Sequence, residues 1–291
     1  MILDFFFLVL VNIFCSICII ILYKIKVNII LKKLHLYFNK RFVKGIGSAA
    51  KTIYYLKKIQ IIHPSWRLRY KIKCRSTENE LSNWLGYSEM KINQPIAIIA
   101  REQFSAFGQN SRAWFSPKGG IWLSAAYPIF SKNFSSDTFS LSLAIKLCQM
   151  LRQENITVNL KWPNDIFFDS KKLIGFLPRV ITRGKEVIYV RIGLGMNVLN
   201  KTPSEGISLA KVLRTKNISE YYWTAKILKA FHDSIDCNNK KEYVIQQANH
   251  FLNKSFLPKG YSPNEWKIKD VDSNGNLRIY NQTQEKVLTR F

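Results

Sequence analysis

The sequence predicts an α+β fold, with short strands from several hairpins and one long helix packed on a face. Three observations predict this. Short apolar runs such as Ile96–Ala100 have the length and bounding residues of buried strands. Between residues 137 and 154, Phe139, Leu143, Ile145, Leu147 and Leu151 recur at helical spacing. Successive strand-like runs are separated by turn-forming residues, so they read as hairpins. With 291 residues and 47% hydrophobic content, the chain can build one sizeable core and a small second domain.

The first quarter of the chain differs from the rest. Residues 1–77 hold one acid, Asp4, against fifteen Lys and Arg, whereas residues 78–291 hold 29 basic and 18 acidic residues. Residues 5–23 are apolar apart from Asn12 and Ser16, and about 20 such residues suffice to cross a bilayer. Lys24, Lys26, Lys32 and Lys33 follow, and positive charge on that flank keeps the remainder on the cytoplasmic side. The basic region 24–69 would then suit an anionic membrane surface. A start codon assigned too far upstream is the other reading of residues 1–45, and both stand open. The net charge of +25 partly follows a composition rich in Lys, Asn, Ile and Phe. There is no convincing helix-turn-helix, so no DNA partner is expected. Five cysteines imply no disulfide framework and a reducing compartment. Cys15 and Cys18 form a C-x-x-C inside the apolar run, where packing explains them better than metal.

From residue 70 onward the elements follow in order. Ser76, Thr77, Glu78 and Asn79 are small or polar groups that open a helix. After Ile96–Ala100 comes a polar loop, Arg101 to Trp114, of the kind that presents N–H groups and a guanidinium to phosphate. A turn at Ser116–Gly119 leads into a strand over 120–126. The long helix starts with Asp137 as its N-cap. Strands are expected over 158–162, 166–168 and 187–193. Pro163 stops the first of these, leaving Lys161 and Trp162 before it and Asn164 and Asp165 after it. Lys171 and Lys172 enter an apolar stretch containing Gly175, where a backbone can approach a ligand closely. Gly193-Leu194-Gly195-Met196-Asn197 is a glycine-rich strand end. Helical patterns over 221–237 and 243–252 precede short strands over 266–271, 277–280 and 286–289, with a turn at 272–276.

Taken in order, W-F-S-P-K-G-G, K-W-P-N-D, K-L-I-G-F-L and G-L-G-M-N-V resemble the motifs of the biotin–protein ligase family. The resemblance covers about residues 70–291. It implies a class II aminoacyl-tRNA-synthetase-like core, a seven-stranded mixed sheet with helices on one face, over residues 70–252. A small SH3-like β domain would occupy 253–291. It also implies a C–N bond-forming ligase, in which the biotin carboxylate attacks the α-phosphate of ATP. A lysine of the biotin carboxyl carrier protein of acetyl-CoA carboxylase then displaces AMP. ATP, biotin and Mg²⁺ follow as ligands, and a homodimer is compatible with the family.

The same resemblance assigns roles. Lys172 and Arg112 are the catalytic cations. Ser76, Thr77, Gln103, Gly108, Gly120, Lys172 and Gly175 meet biotin, and Gly119 also admits close backbone approach. Arg112, Trp114, Lys161, Asn164, Asp165 and Asn197 meet ATP, with Asp165 and Asn197 as oxygen ligands for magnesium. Two positions depart from the family. Its loop is close to G-R-G-[RQ]-x-G-R, whereas Ala106 to Arg112 keep one glycine and the last arginine. Its S-T-N carries Glu78 in place of Asn. Two rival readings remain: a lipoate or octanoate ligase of the same fold, and a non-catalytic basic protein attached to a membrane.

Overall fold

A computed structural model describes residues 46–59, 65–86, 93–109, 112–131 and 134–289. The apolar run 5–23 with its C-x-x-C, the basic residues 24–44, and loop residues Asn110 and Ser111 lie outside the described residues. Among the described residues, no helix is long and apolar enough to cross a membrane. Among the described residues, Cys74, Cys148 and Cys237 are free and buried.

Helix α1 (Ile46–Lys58) leads to strand β1 (Arg67–Lys71) and helix α2 (Thr77–Gly86). Strands β2 (Ile96–Ala100) and β3 (Ile121–Pro128) precede helix α3 (Phe139–Arg152). Then come β4 (Asn159–Lys161), β5 (Asp165–Phe168), β6 (Lys171–Arg183) and β7 (Glu186–Met196). Helices α4 (Leu209–Leu213), α5 (Glu220–Asn238) and α6 (Lys241–Phe251) follow, then β8 (Lys267–Val271), β9 (Leu277–Tyr280) and β10 (Glu285–Leu288). The main sheet has seven strands in the order β1-β2-β3-β7-β6-β5-β4. It is mixed, since β1 pairs parallel with β2 while its other neighbours pair antiparallel.

Strand alternation divides the sheet into two chemically different faces. Ala97, Ile99, Ile121, Leu123, Ala125, Ile174, Phe176, Ile192, Leu194 and Met196 point to one side and form the main core. Helix α3 covers that side and packs on α5 and α6. Its residues are buried almost all round, as a helix sandwiched between sheet and helices must be. The other side carries the short α2, whose Leu81 and Trp84 pack on Ile96, Ile98 and Ala126. Beyond α2 this face carries polar and glycine residues together with the Trp114 and Trp122 rings.

Three expectations need adjustment. Asp137 does not cap α3: the N-cap position is Thr138, which makes no side-chain cap bond. The turn before it is tied instead by buried Asn238 of α5. Its Oδ1 accepts from Ser135 N at 2.7 Å, and its Nδ2 donates to Ser135 O at 2.9 Å. A tertiary partner thus replaces a local cap. Strand β6 runs six residues past Leu177, because it forms a long hairpin with β7 through Gly184 at φ +59. Strand β7 likewise continues to Met196, since Gly195 and Met196 pair on both sides.

Strands β8–β10 form a separate antiparallel sheet. Trp266, Ile268, Val271, Leu277 and Ile279 from this region join the main core, and residues 49–291 form one compact unit. Asn249 of α6 holds β8 from both sides, donating to Val271 O at 2.9 Å and accepting from Val271 N at 2.8 Å. Trp162 Nε1 donates to Gly275 O across the same junction at 3.0 Å.

Candidate functional site

The polar face of the sheet is organised from α2. The Ser76 hydroxyl accepts from Glu78 N at 3.2 Å, which satisfies one free N–H of the first turn. The cap presents Thr77 to the adjoining loop, where Thr77 N donates to Gln103 Oε1 at 2.7 Å and its hydroxyl does so at 3.0 Å. Those two donors fix the orientation of the Gln103 amide, whose Nε2 donates to Ser116 Oγ at 3.0 Å. With the Thr77 hydrogen committed to Gln103, the Ser124 hydroxyl donates to Thr77 Oγ1 at 2.9 Å. Ser76, Thr77, Ser116 and Ser124 are all buried. Cys74 neighbours this network, and burial pushes its thiol up to about 11, so it stays protonated and is no nucleophile.

Next to the network, the face is paved with glycine. Ser124 of β3 is opposite Gly193 of β7, and Trp122 is opposite Gly195, which in turn faces Gly175 of β6. The Trp114 indole lies on this floor. A Cβ on Gly195 would come 2.6 Å from Trp114 Nε1, and one on Gly175 would come 2.8 Å from the same ring. Any side chain at either position would displace the tryptophan. Trp114 Nε1 is buried with no hydrogen-bond partner.

At the far end of the floor stands a cation. Lys172 Nζ is 2.6 Å from Asp165 Oδ1 and 4.6 Å from the centre of the Trp114 ring. Both members of the ion pair stay about a fifth exposed, at 23% and 19%. The Lys172 backbone is fixed by Glu205 O, which accepts from its N–H at 2.8 Å, and by Ile207 N, which donates to its carbonyl at 3.0 Å. Asp165 is opposite Gly175 in the sheet, so carboxylate, lysine and glycine floor share one face.

The expected site residues therefore fall into groups. Ser76, Thr77, Gln103, Trp114, Asp165, Lys172 and Gly175 come together along this trough. Asn164 stands beside it, but its Nδ2 donates to Phe176 O at 2.6 Å and so tethers β5 to β6. Asn197 is buried, with its Oδ1 accepting from Asn200 at 2.9 Å and its Nδ2 donating to Lys172 O at 3.3 Å. Lys161 sits opposite Asp165 at the sheet edge, its ammonium 5.2 Å from the Phe167 ring and 5.4 Å from the Phe256 ring. Arg112 is exposed, and its Nε donates to Gln109 O at 3.2 Å. That bond closes the loop on itself, together with the Gly108 N to Arg112 O bond.

A Cβ on Gly108 would make only ordinary contacts, 3.6 Å from Arg112 O and 3.9 Å from the Trp114 ring, so no close approach requires glycine there. Gly119 (φ +98) packs against the Asn200 backbone, and the Trp122 ring fills the space above Gly120, leaving only backbone there. Among the described residues, no group of three or more His, Cys, Asp or Glu could hold a metal. The sequence reading missed Ser124 and Arg191, and gave no site role to Ser116, Gly193 or Gly195 although they stand in its motifs. A lone serine in the otherwise apolar strand β3 was the available signal for Ser124.

A further ion pair borders the network. Glu78 Oε1 is 2.7 Å from Arg191 of β7 and 3.7 Å from Arg179 of β6. Arg191 also donates to Ser82 Oγ at 2.9 Å. Glu78 Oε2 is buried without a partner.

Residues 72–197 match the model of the biotin/lipoate A/B protein ligase family. The chain is 31% identical over 110 residues to a bifunctional ligase/repressor of Bacillus subtilis, covering 37% of this chain and 34% of that relative. A bifunctional ligase/repressor of Escherichia coli is 29% identical over 113 residues, covering 38% and 35%. The matched part thus spans about a third of the length of these relatives. A biotin protein ligase from Aquifex aeolicus, solved in complex with biotin and ATP, superposes with a TM-score of 0.61 at 21% identity. It covers 76% of this chain and 95% of that one, a likeness of fold.

Proposed function

We propose, on the premise that residues 72–197 belong to the biotin/lipoate A/B protein ligase family, that the chain is an ATP-dependent biotin–protein ligase. The observation that carries this reading is the two-ended trough. At one end, Thr77, Gln103, Ser116 and Ser124 form a buried network of fixed donors and acceptors. At the other, Lys172 stands beside Asp165. Between them the strand is glycine. Gly193 to Gly195 spans about 7 Å along the strand, a reach that suits a short acyl chain joining a polar ring to a carboxylate.

The chemistry follows from the cation. As a biotin carboxylate oxygen bonds to the α-phosphorus of ATP, pyrophosphate leaves and charge accumulates on the phosphoryl oxygens. Lys172, largely buried and already oriented beside Asp165, stabilises that charge with little reorganisation. The amine of a carrier lysine then adds to the acyl carbon, loses its extra proton to solvent, and AMP leaves with the bonding pair, again beside Lys172. No nucleophilic side chain is required, in keeping with the protonated Cys74. Arg112, at the exposed end of its loop, serves the phosphates. Magnesium would arrive on ATP. Of the two expected ligands Asp165 fits better, because its second carboxylate oxygen remains available, whereas the Asn197 oxygen is committed to Asn200. The acceptor in this reading is a carboxyl carrier protein in the cytoplasm.

The family description also spans lipoate ligases. The polar network argues against them, since an octanoyl or dithiolane end would keep water from these hydroxyls and amide without offering a hydrogen bond in return. The test is direct: incubate the chain with ATP, magnesium, biotin and a carrier domain, then probe with streptavidin. Parallel reactions with lipoate and octanoate follow the carrier by mass. Biotinylation of the carrier supports the reading; transfer of lipoate or octanoate in its place overturns it.

A further inference from the structure

We infer that Glu78 is a specificity-determining residue, whose Oε2 accepts a ring N–H of the bound ligand. The inference rests on the reading of the trough as a biotin site and adds to it a charged acceptor where the family's motif has Asn. Glu78 sits in the first turn of α2, and Arg191 holds its Oε1 at 2.7 Å. Arg191 is itself anchored by Ser82 Oγ at 2.9 Å, so the carboxylate is not free to turn away. The other oxygen, Oε2, is buried and has no hydrogen-bond partner. It faces the trough. A Cβ placed on Gly193 would lie 3.7 Å from Glu78 Oε2 and 3.8 Å from Ser124 Oγ. A carboxylate oxygen and a hydroxyl therefore converge on one glycine, from two different elements.

A buried carboxylate oxygen without a donor is costly, more so than a neutral one. Among the described residues, Arg191 bonds Oε1 through its terminal nitrogen, and no group bonds Oε2, the neighbouring Arg191 Nε included. An apolar acyl end lying over Gly193 would seal Oε2 away from water and leave it unpaired. A ring that carries N–H, such as a cyclic urea, would satisfy it with a charge-assisted bond. The site thus selects on the presence of a ring N–H, and the selection is stronger than a neutral Asn could give.

The experiment is a ligand-by-protein cycle read by calorimetry on the full chain. Biotin and its two ring N-methyl derivatives are titrated into wild type, Glu78→Gln and Glu78→Ala, each first checked by circular dichroism. Expected is that one N-methyl derivative binds wild type at least tenfold more weakly than biotin, and that this loss shrinks to about threefold or less in Glu78→Ala. Biotin itself should weaken about tenfold in Glu78→Gln, with no change in ATP binding. Equal losses for both derivatives in wild type and Glu78→Ala overturn the inference and leave the biotin reading standing. Wild type that binds lipoate in preference to biotin overturns both. Should the variants fail to fold, wild type alone decides: N-methylation without effect at either nitrogen excludes an N–H bond to Oε2.

Discussion

Replacing Lys172 by alanine separates its two roles, because the structure gives each a different magnitude. As a structural group, Lys172 makes an ion pair with Asp165 at 2.6 Å and lies over Trp114 at 4.6 Å. Both partners of the pair keep about a fifth of their surface, so water replaces the lost ammonium at Asp165. Pairs of that exposure contribute up to about 1 kcal/mol. In a chain of this size that is a fall in Tm of roughly 2–4 °C. In the proposed reaction Lys172 is a fixed cation at the reacting phosphate, and removing such a group costs about 10²–10³ in rate, or about 2.7–4 kcal/mol. The catalytic loss exceeds the structural one several-fold. The assay is pyrophosphate release on mixing enzyme, biotin, ATP and magnesium, with Tm measured on the same samples. Release within threefold of wild type would refute the catalytic role. A Tm drop beyond about 10 °C would instead mean that the pair holds the sheet together, and that a slow variant is only a damaged one.

Three further outcomes are expected. Gly195→Ala should lower Tm, since its methyl would meet Trp114 Nε1 at 2.6 Å and overpacking costs about 1–3 kcal/mol; in the Trp114→Ala background the same change should cost much less, which a double-mutant cycle in urea reads. Phe107→Arg restores a cation to the phosphate loop, and one charge-assisted bond of about 1.5–3 kcal/mol should slow release of the acyl-adenylate by roughly tenfold or more, followed by stopped flow. The hydrogen-bonded ion pair with Arg278, at 2.6 and 2.5 Å, lowers the Asp270 carboxyl below its ordinary value. A lowered carboxyl contributes stability that is complete above the unfolded value of about 4 and disappears as pH falls through the folded one. The Tm advantage of wild type over Asp270→Asn should therefore shrink on going from pH 6 to pH 3; a constant difference would show that the pair contributes nothing through charge.

Most of the scaffold was legible because it rests on local pattern. The apolar run of β2, the periodicity of α3 and the turn at Asp272 each declare themselves within a dozen residues. What escaped depends on partners distant in sequence. Asp137 looks like a cap, yet Asn238, a hundred residues on, holds that turn. The resemblance offers Asn164 and Asn197 as ligands, and only the fold shows that each also has a partner within the chain, Phe176 O for Asn164 and Asn200 for Asn197. Ser116 and Ser124 look like filler until Gln103 and Thr77 are brought against them. Glu78 reads as an ordinary first-turn acid, and its ion pair with Arg191 spans more than a hundred positions.

The position of Lys172 shows how a spacing can mislead when the strand that carries it is irregular. In a regular strand, residues three apart face opposite sides, so Lys172 and Gly175 should be separated by the sheet. They are not, because the pairing of β5 with β6 shifts register between Ile166 and Phe167. Asp165 is opposite Gly175 and Ile166 opposite Ile174, but Phe167 is opposite Lys172, which leaves Leu173 as an extra residue in β6. One inserted residue reverses the facing of everything before it. Lys172 is thereby turned onto the trough side, where its Nζ would lie 2.9 Å from a Cβ on Gly175. The G-x-G of β7 works by the opposite logic. Gly193 and Gly195 are two apart in a stretch of β7 without a register shift, so they share a face by default, and with no side chain at Gly195 the Trp114 ring can lie on it. A regular strand makes the floor and a bulge in its neighbour delivers the cation to it. The K-L-I-G spacing is what such a bulge demands, whereas a lysine two residues before the glycine would reach the same face of a regular strand with nothing to pin its register.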